Sequence, residues 1–223
     1  MSNENYLNSE KVILDLCGGS GAWSNPYKER GFRVLNITLP QYDIRKYYTT
    51  KDSISFDGQE WILFKNIYGI LAAPPCTHFS RARTVASTPR DLPSSMGLVQ
   101  ACLNIIWECQ YRFESELQQK PPLKFWCLEN PYGMLNWFLG HPVFKFHPFE
   151  FGDGYTKLTC LWGNFNKPKK LIKFSRTYQR SFEHLMMGDL KKIHSMSDLT
   201  CRADIRSVTP PGFAEAFYQA NNQ

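Results

Sequence analysis

The chain of 223 residues is 43% hydrophobic and 21% charged, which is typical of a folded globular protein and excludes a mainly disordered one. Its 26 basic and 20 acidic residues give a net charge of +6. No apolar stretch approaches the roughly 18 residues that cross a bilayer, and the polar N-terminus lacks an apolar signal segment, so we expect a cytoplasmic protein with no membrane association.

Strand-like and helix-like segments alternate along the first two thirds of the chain. The predicted elements, in chain order, are a strand at 11–17, a glycine turn at 18–21, a helix to 30, strands at 31–38, 61–64 and 68–73, a helix at 93–117, a strand at 124–128 and a final helix in 209–220. This alternation predicts parallel βαβ units and therefore an α/β fold.

Basic residues are concentrated near the end of the chain. Between residues 155 and 206, eleven basic residues face four acidic ones, and the remainder of the chain is close to neutral. This distribution favours a polyanion partner such as nucleic acid. A solvated basic face with no ligand explains the charge equally well.

The seven cysteines show no shared spacing. Their number is odd and no C-x-x-C pair occurs, so the sequence indicates neither a disulfide framework nor a zinc site, and we expect no metal. Most of them lie in apolar runs, as small buried hydrophobic residues do.

A glycine-rich turn directly follows the first predicted strand. Asp15, Cys17, Gly19 and Gly21 stand at alternate positions there. Glycines at such a turn let the backbone pass close to a nucleotide-like ligand, although a plain tight turn would also explain them. Ligands of open α/β sheets bind at the carboxyl ends of the strands, which favours the ligand interpretation.

A thiol and a carboxylate follow two further predicted strands. Cys76 stands after Pro74 and Pro75, and Glu129 closes the strand at 124–128. A buried cysteine and a capping acid are the ordinary alternatives. Together, a thiol and an acid at one sheet edge fit nucleophilic activation of an electron-poor ring: the thiolate adds, the acid donates to the ring, and a cofactor supplies a group.

The order of these motifs resembles the C5-cytosine DNA methyltransferases, which use S-adenosyl-L-methionine. The resemblance covers about residues 11 to 217, and its motifs lie at 12–21, 43–44, 74–80, 129–131 and 207–214. It implies a Rossmann-like class I methyltransferase sheet, mostly parallel, with helices on both faces and a small basic insertion. The implied organisation is a catalytic, cofactor-binding domain at 1–165, a reduced target-recognition insertion at 166–201, and a C-terminal helix within 202–223 that returns to the catalytic domain.

The resemblance also implies a reaction: DNA methylation that yields 5-methylcytosine. Cys76 attacks C6 of cytosine, and Glu129 holds the N3 and N4 edge. C5 then accepts the methyl group, and loss of its proton releases the enzyme. A duplex hides this atom, so the DNA must present a flipped or single-stranded cytosine.

Further site residues follow from the resemblance. Those expected to bind the cofactor are Asp15, Cys17, Gly19, Gly21, Trp23, Asp43, Ile44, Pro74, Ser207 and Val208. Those expected to bind the substrate are Pro75, Ser80, Arg81, Arg83, Asn130, Thr156 and Lys157.

The chain departs from the family at three places. The family's second strand ends in an acid that binds the ribose hydroxyls, and this chain offers only Asn36 or Thr38. Lys157 replaces a family arginine. The 36 residues at 166–201 are few for a target-recognition region. We therefore expect a compact, phage-like monomer, acting in a prokaryotic or phage-infected host cell, with short recognition or with a recognition partner protein.

Two alternatives remain open from the sequence. The same chemistry fits RNA or a cytosine nucleotide as substrate. The missing ribose acid also fits a catalytically silent relative that binds cofactor or nucleic acid.

Overall fold

The computed structural model describes residues 8–81, 83, 86–112, 123–172, 180–181 and 207–222. Its elements, in chain order, are β1 (Val12–Leu16), α1 (Asn25–Glu29), β2 (Arg33–Ile37), β3 (Tyr48–Thr49), β4 (Ser53–Ser55), β5 (Ile62–Leu63), a 3-10 turn (Phe64–Asn66), β6 (Ile67–Ala72), α2 (Leu92–Trp107), a π-helical turn (Glu108–Arg112), β7 (Phe125–Pro131), α3 (Asn136–Leu139), β8 (Phe144–Phe146), a second 3-10 turn (Pro148–Phe151), β9 (Tyr155–Thr156), β10 (Thr159–Asn164), β11 (Arg180–Ser181) and α4 (Pro211–Ala220).

A six-stranded sheet organises the molecule, in the order β2-β1-β6-β7-β10-β8. Neighbours from β2 to β7 are parallel, whereas β10 runs antiparallel to both β7 and β8. The predicted α/β fold with a mostly parallel sheet is thus confirmed. The sheet is mixed, because the two strands at one side, which the sequence did not predict, pair in the antiparallel sense.

Helices cover both faces of this sheet because its central strands are apolar on both sides. In β1, Leu14 and Leu16 join the hydrophobic cluster that contains α2 residues, whereas Ile13 joins the cluster that contains α1 and α4 residues. Successive strand residues point to opposite faces, so a strand buried on both sides reads as a continuous apolar run. This explains why the run at 11–17 predicted β1 correctly.

The helix α4 completes one face of the sheet. Phe213 and Phe217 pack on Trp23, with ring centroids 5.9 and 5.4 Å away. Arg30 donates to the Glu215 carboxylate at 2.8 Å. The end of the chain therefore packs against the segment that follows β1.

The helix α2 begins at a clear N-cap. The Asp91 side chain accepts a hydrogen bond from the N–H of Ser94 at 3.0 Å, satisfying one of the open donors of the first turn. Cys102 and Ile105 lie on its buried stripe. The predicted continuation to residue 117 lies partly outside the described residues, since 113–122 are not described.

Two predicted elements are shorter in the structure. The helix expected up to residue 30 comprises only α1, and the strand expected at 61–64 is the two-residue β5 followed by a 3-10 turn. The strand β5 belongs to a small antiparallel sheet with β3 and β4. Short elements of this kind depend on tertiary pairing, which local periodicity does not reveal.

The predicted basic insertion lies largely outside the described residues. Of 166–201, the structure describes 166–172 and the backbone pairing of β11 with β9. The proposed domain boundaries stay predictions. Among the described residues, no helix combines the length and the apolar character that spanning a bilayer requires.

Candidate functional site

A cleft lies where the strand order of the sheet reverses. The chain passes from β1 outward to β2, then returns to the other side of β1 to form β6 and continues to β7. Loops that leave neighbouring parallel strands in opposite directions open a crevice at their carboxyl ends. The cleft there has a volume of about 540 Å³, within the usual range of small-ligand sites.

Most of the predicted site residues line this one cleft. They are Asp15, Cys17, Gly19, Trp23, Asp43, Ile44, Pro74, Pro75, Cys76, Ser80, Arg83, Glu129, Lys157 and Ser207. Five predicted residues are not part of its lining: Gly21, Arg81, Asn130, Thr156 and Val208. The structure therefore brings together the loops after β1, β2, β6 and β7, as the motif positions predicted.

The glycine turn after β1 is shaped by a buried carboxylate. A Cβ on Gly18 would lie only 2.3 Å from Cγ of Asp15, so the turn passes directly over this side chain. Cys17 and Gly19 have positive φ angles of 57° and 52°. Gly18, which the sequence analysis did not single out, is thus the glycine whose missing side chain the turn requires most.

Asp15 is fully buried and only partly satisfied. Its Oδ2 accepts a hydrogen bond from Ser24 Oγ at 2.5 Å, whereas its Oδ1 has no partner among the described residues. Burial raises the pKa of Asp15 to about 6, against the lowering effect of the Ser24 hydrogen bond. The indole Nε1 of Trp23 is also buried without a partner there. An acceptor and a donor without protein partners thus belong to side chains that line the cleft.

The end of β2 differs from the family pattern in a defined way. The Asn36 amide donates to the carbonyl of Gly19 at 3.0 Å, so this side chain holds the glycine turn and does not line the cleft. Thr38 lines the cleft instead. Of the two residues considered for the ribose acid's position, Thr38 is the one that is part of the cleft lining.

The loop after β2 fixes Asp43 through Arg45. Arg45 donates from Nε and Nη2 to the two Asp43 oxygens at 2.9 and 2.7 Å, and its backbone N–H adds a third bond. These hydrogen bonds lower the pKa of Asp43 to about 2, and the side-chain hydrogen bond from Arg45 has the largest effect. The carboxylate therefore stays charged at neutral pH, at a fixed position in the cleft wall.

Cys17 forms a thiol pair beneath the cleft. A hydrogen bond with the Cys102 thiol lowers the pKa of Cys17, while burial and the carboxylates of Asp15 and Asp43 act in the opposite direction. The thiol of Cys102 is buried, and its pKa is raised by the same hydrogen bond and by burial. The pair joins the glycine turn to α2.

The segment after β6 forms a tight turn around Cys76. The N–H groups of Phe79 and Ser80 donate to the Cys76 carbonyl at 3.0 and 2.9 Å. Cys76 itself is half-buried and lines the cleft.

Hydrogen bonds from more distant residues hold this turn. His78 Nδ1 accepts from the N–H of Asp91 at 2.8 Å and lies 3.0 Å from Arg83 Nη1. Arg90 donates to the His78 carbonyl at 2.7 Å. His78 thus has a positioning role for the turn.

Two contacts join this turn to the end of β7. The buried Asn130 amide donates to the carbonyl of Pro74 at 2.9 Å, which explains why Asn130 is not part of the cleft lining. Gly133 pairs with Ser80, and a Cβ on Gly133 would lie 2.3 Å from the Phe79 carbonyl oxygen. The segments that carry the thiol and the acid are thereby held against each other.

Glu129 faces the cleft in a mostly enclosed position. Burial raises its pKa, and the ammonium group of Lys157 acts in the opposite direction. A carboxyl group with a raised pKa carries a proton more readily, so it is suited to donate a hydrogen bond to a ring nitrogen.

Several cleft residues were not among the predicted site residues. They are Gly18, Ile37, Thr38, Leu39, Tyr42, Arg45, Ala73, Thr77, Leu98, Pro131 and Thr209. Most of them flank predicted positions at strand ends, so proximity to those ends was the available signal. Leu98 of α2 had none, because it contributes through tertiary packing alone.

The described residues contain no group of three or more His, Cys, Asp or Glu side chains that could hold a metal ion. By fold and site, the molecule is an α/β protein with a cleft that places a thiol, a carboxyl group and a glycine turn together. Neither a scan against models of known protein families nor a search of curated proteins finds a match to this chain.

Proposed function

We propose that this protein is an S-adenosyl-L-methionine-dependent methyltransferase that acts on C5 of cytosine in DNA through a covalent adduct with Cys76. One observation carries the proposal: Cys76, Glu129 and the glycine turn after β1 line the same cleft, although more than 100 residues separate the turn from Glu129. A thiol nucleophile, an acid and a nucleotide-type turn together match the requirements of this chemistry.

The sheet supports the finer fold assignment, a Rossmann-like class I methyltransferase domain. Four neighbouring parallel strands reverse their order between β1 and β6, and the cleft lies at that point. Nucleotide-containing ligands of doubly wound folds bind at such a reversal.

The cleft residues fit the cofactor's methionine end. The unpartnered Asp15 Oδ1 complements an ammonium group, and the unpartnered Trp23 Nε1 complements a carboxylate, which are the two charged groups of an amino acid. Gly19, where an added Cβ would meet no atom within 4 Å, leaves open space at the turn beside them.

Three residues of the loop after β2 would hold the adenosine end. They are Thr38, with a hydroxyl group, and Asp43 and Ile44, with a charged and an apolar surface. When bound, S-adenosyl-L-methionine supplies an electrophilic methyl group and leaves as S-adenosylhomocysteine.

Cys76 and Glu129 together make C5 of the ring nucleophilic. The Cys76 thiol loses its proton to solvent, and Sγ forms a bond to C6 of cytosine. The electron pair of the C5=C6 bond moves through C4 to N3, which takes the proton of Glu129. The resulting enamine has the nucleophilic C5 that unmodified cytosine lacks.

The same two residues restore the ring after C5 has gained the methyl group. The C5 proton passes to water, the Sγ–C6 bond breaks, and the C5=C6 bond re-forms. N3 returns its proton to Glu129, and Cys76 leaves as thiolate. The raised pKa of Glu129 suits both directions of this proton transfer.

The cations of the cleft suit a nucleic-acid substrate. Lys157 lies beside Glu129, and Arg83 lies on the nucleophile segment. Cationic side chains at these positions would hold the phosphates next to a cytosine taken out of its stack.

The test is transfer of labelled methyl from S-adenosyl-L-methionine to cytosine-containing DNA, read at base resolution. We expect 5-methylcytosine with the natural protein and at least a 1000-fold loss with Cys76→Ser, since removal of a nucleophile commonly costs about three orders of magnitude or more. Cys109→Ala is the matched control, because it removes a buried thiol outside the cleft lining. Transfer that persists in Cys76→Ser contradicts the mechanism.

Competition experiments separate the alternatives left open by the sequence. If RNA or a cytosine nucleotide competes more strongly than DNA, that molecule is the substrate of the same reaction. Cofactor binding without transfer to any of them indicates a catalytically silent binder or an enzyme that requires a recognition partner.

A further inference from the structure

A group of cations and exposed aromatic rings lies beside the cleft, and of its members only Arg81 was among the residues expected to bind the substrate. We define it as the Tyr132 face. It consists of Arg81, Tyr132, Trp137, Phe138 and Lys145.

Contacts between its members make the Tyr132 face continuous. Arg81 Cζ lies 4.8 Å and Lys145 Nζ lies 5.6 Å from the centroid of the Tyr132 ring. Arg81 directly follows Ser80, and Tyr132 directly follows Pro131, and both of these neighbours line the cleft. The face therefore starts at the mouth of the cleft.

Lys145, Tyr132 and Phe138 belong to the α2 side of the sheet. Lys145 pairs with Cys160 across β8 and β10, and cross-strand partners point to the same side. The cluster on the α2 side contains Cys160, has Tyr132 packed against it, and also contains Phe79, on which Phe138 packs at 6.3 Å. Trp137 is the exposed neighbour of Phe138 in α3.

The segment 123–172, which carries most of this face, has no exposed acidic residue. The segment 123–172 contains six lysines and three acids. Glu129 faces the cleft, Asp153 is buried, and Glu150 is buried and paired with Lys170 at 2.9 Å. Among the described residues, no carboxylate pairs with Arg81 or Lys145. The chemical complement of such a surface is a polyanion.

The exposed rings narrow the choice of polyanion. Trp137 and Phe138 are 68% and 48% exposed, which is unusual for two adjacent large apolar side chains. Aromatic rings beside cations bind single strands, because unpaired bases stack on the rings while phosphates meet the charges. A duplex offers the phosphates but keeps its base faces stacked on one another.

We propose that the Tyr132 face binds single-stranded DNA next to the target cytosine, with phosphates at Arg81 and Lys145 and a base stacked on Trp137. The choice of DNA rests on the proposed function. The face lies outside the 166–201 insertion, so strand binding would not depend on that short segment alone.

The test is equilibrium binding of a fluorescein-labelled DNA strand of about 16 nucleotides, a length within single-strand site sizes, over a range of salt concentrations and without cofactor. Lys145→Gln should reduce the slope of log affinity against log salt by about 0.7, the contribution of one phosphate contact. Trp137→Ala should weaken binding about tenfold with an unchanged slope. The matched control Lys28→Gln removes an equal charge from α1, on the opposite side of the sheet, and should bind like the natural protein.

Both effects are required. If either variant binds like Lys28→Gln, or if a duplex of the same sequence binds at least as tightly as the strand, the proposal is overturned. Tighter binding of the corresponding RNA strand overturns the choice of DNA. The binding test contains no cofactor, so its result stands even if the protein transfers no methyl group. If the variants transfer methyl normally and bind the strand like the natural protein, the inference about the Tyr132 face is rejected and the proposed function is retained.

Discussion

Two segments that form walls of the cleft, the Cys76 segment and the glycine turn, are held in different ways. The Cys76 segment is fixed by contacts from other elements, among them the Asn130 hydrogen bond and the close approach of Gly133. The glycine turn lies over Asp15, a buried carboxylate with one oxygen unpartnered among the described residues. The first wall is thus preorganised by the protein, and the second has an open acceptor that, under the proposed function, the cofactor would complete. Substitutions in the Cys76 segment should change the position of the thiol. Substitutions at Asp15 should change the affinity for the cofactor and the pH dependence of that affinity.

The largest effect is expected from Gly133→Ala in the preorganised wall. The new Cβ would lie 2.3 Å from the Phe79 carbonyl, so the Cys76 segment must shift away from Glu129. We expect the free energy of unfolding to fall by about 3 kcal/mol, as for overpacking, and methyl transfer to fall about 100-fold. Chemical denaturation and single-turnover transfer measure the two.

Gly97→Ala is the control for this change. Gly97 lies within α2, and its Cβ would meet no atom within 4 Å, so alanine should stabilise the helix by about 0.5 to 1 kcal/mol. Wild-type transfer rates in Gly133→Ala would show that the contact does not position the thiol.

The next effect is the pH dependence of stability that Asp15 causes in the wall formed by the glycine turn. Burial raises the pKa of Asp15 to about 6, above its usual value of 3.8, so the folded state binds this proton more tightly than the unfolded state. The stability that this group contributes is full below about pH 4 and is lost as pH rises through about 6, a change of about 3 kcal/mol. Asp15→Asn should remove this dependence from the denaturation profile.

Cofactor binding should show the opposite trend. An ammonium group prefers the ionised carboxylate, so affinity for S-adenosyl-L-methionine should rise as pH increases through about 6, and Asp15→Asn should abolish that rise. Asp153 provides the control, because burial also raises its pKa to about 6 but it lies outside the cleft lining. Asp153→Asn should alter the stability profile and leave the binding profile unchanged. Equal binding profiles in both variants would contradict the assignment of Asp15 to the ammonium group.

A smaller effect is expected from Asn130→Ala. The substitution removes the donor to the Pro74 carbonyl in a buried position, which should cost about 1 to 3 kcal/mol of stability. Transfer should fall through kcat more than through KM, because the amide holds the Pro74 carbonyl of the segment that carries the thiol. Asn104→Ala, at an exposed helix position, should change stability by less than about 0.5 kcal/mol. A change in KM alone would indicate instead that Asn130 binds substrate.

The sequence predicted the parts of this molecule that local patterns encode. The apolar run of β1, the glycine turn and the proline pair before Cys76 each identify a strand end, and strand ends of parallel units meet at one edge. Gly18 is required because the Asp15 carboxylate lies against it, and Gly133 because the Phe79 carbonyl does. These contacts are formed only in the folded molecule, so no local sequence pattern predicts them. The strands β10 and β8 were missed because β10 is placed by antiparallel pairing with β7, and β8 by antiparallel pairing with β10.

The contact between α4 and Trp23 also bears on how the molecule is made. Trp23 belongs to the segment after the first strand, whereas Phe213 and Phe217 are synthesised about 190 residues later. Ser207 and Thr209, just before α4, line the cleft. A nascent chain whose α4 is still within the ribosome therefore has an open aromatic surface and an incomplete cleft lining, so the cleft is formed only after α4 has emerged.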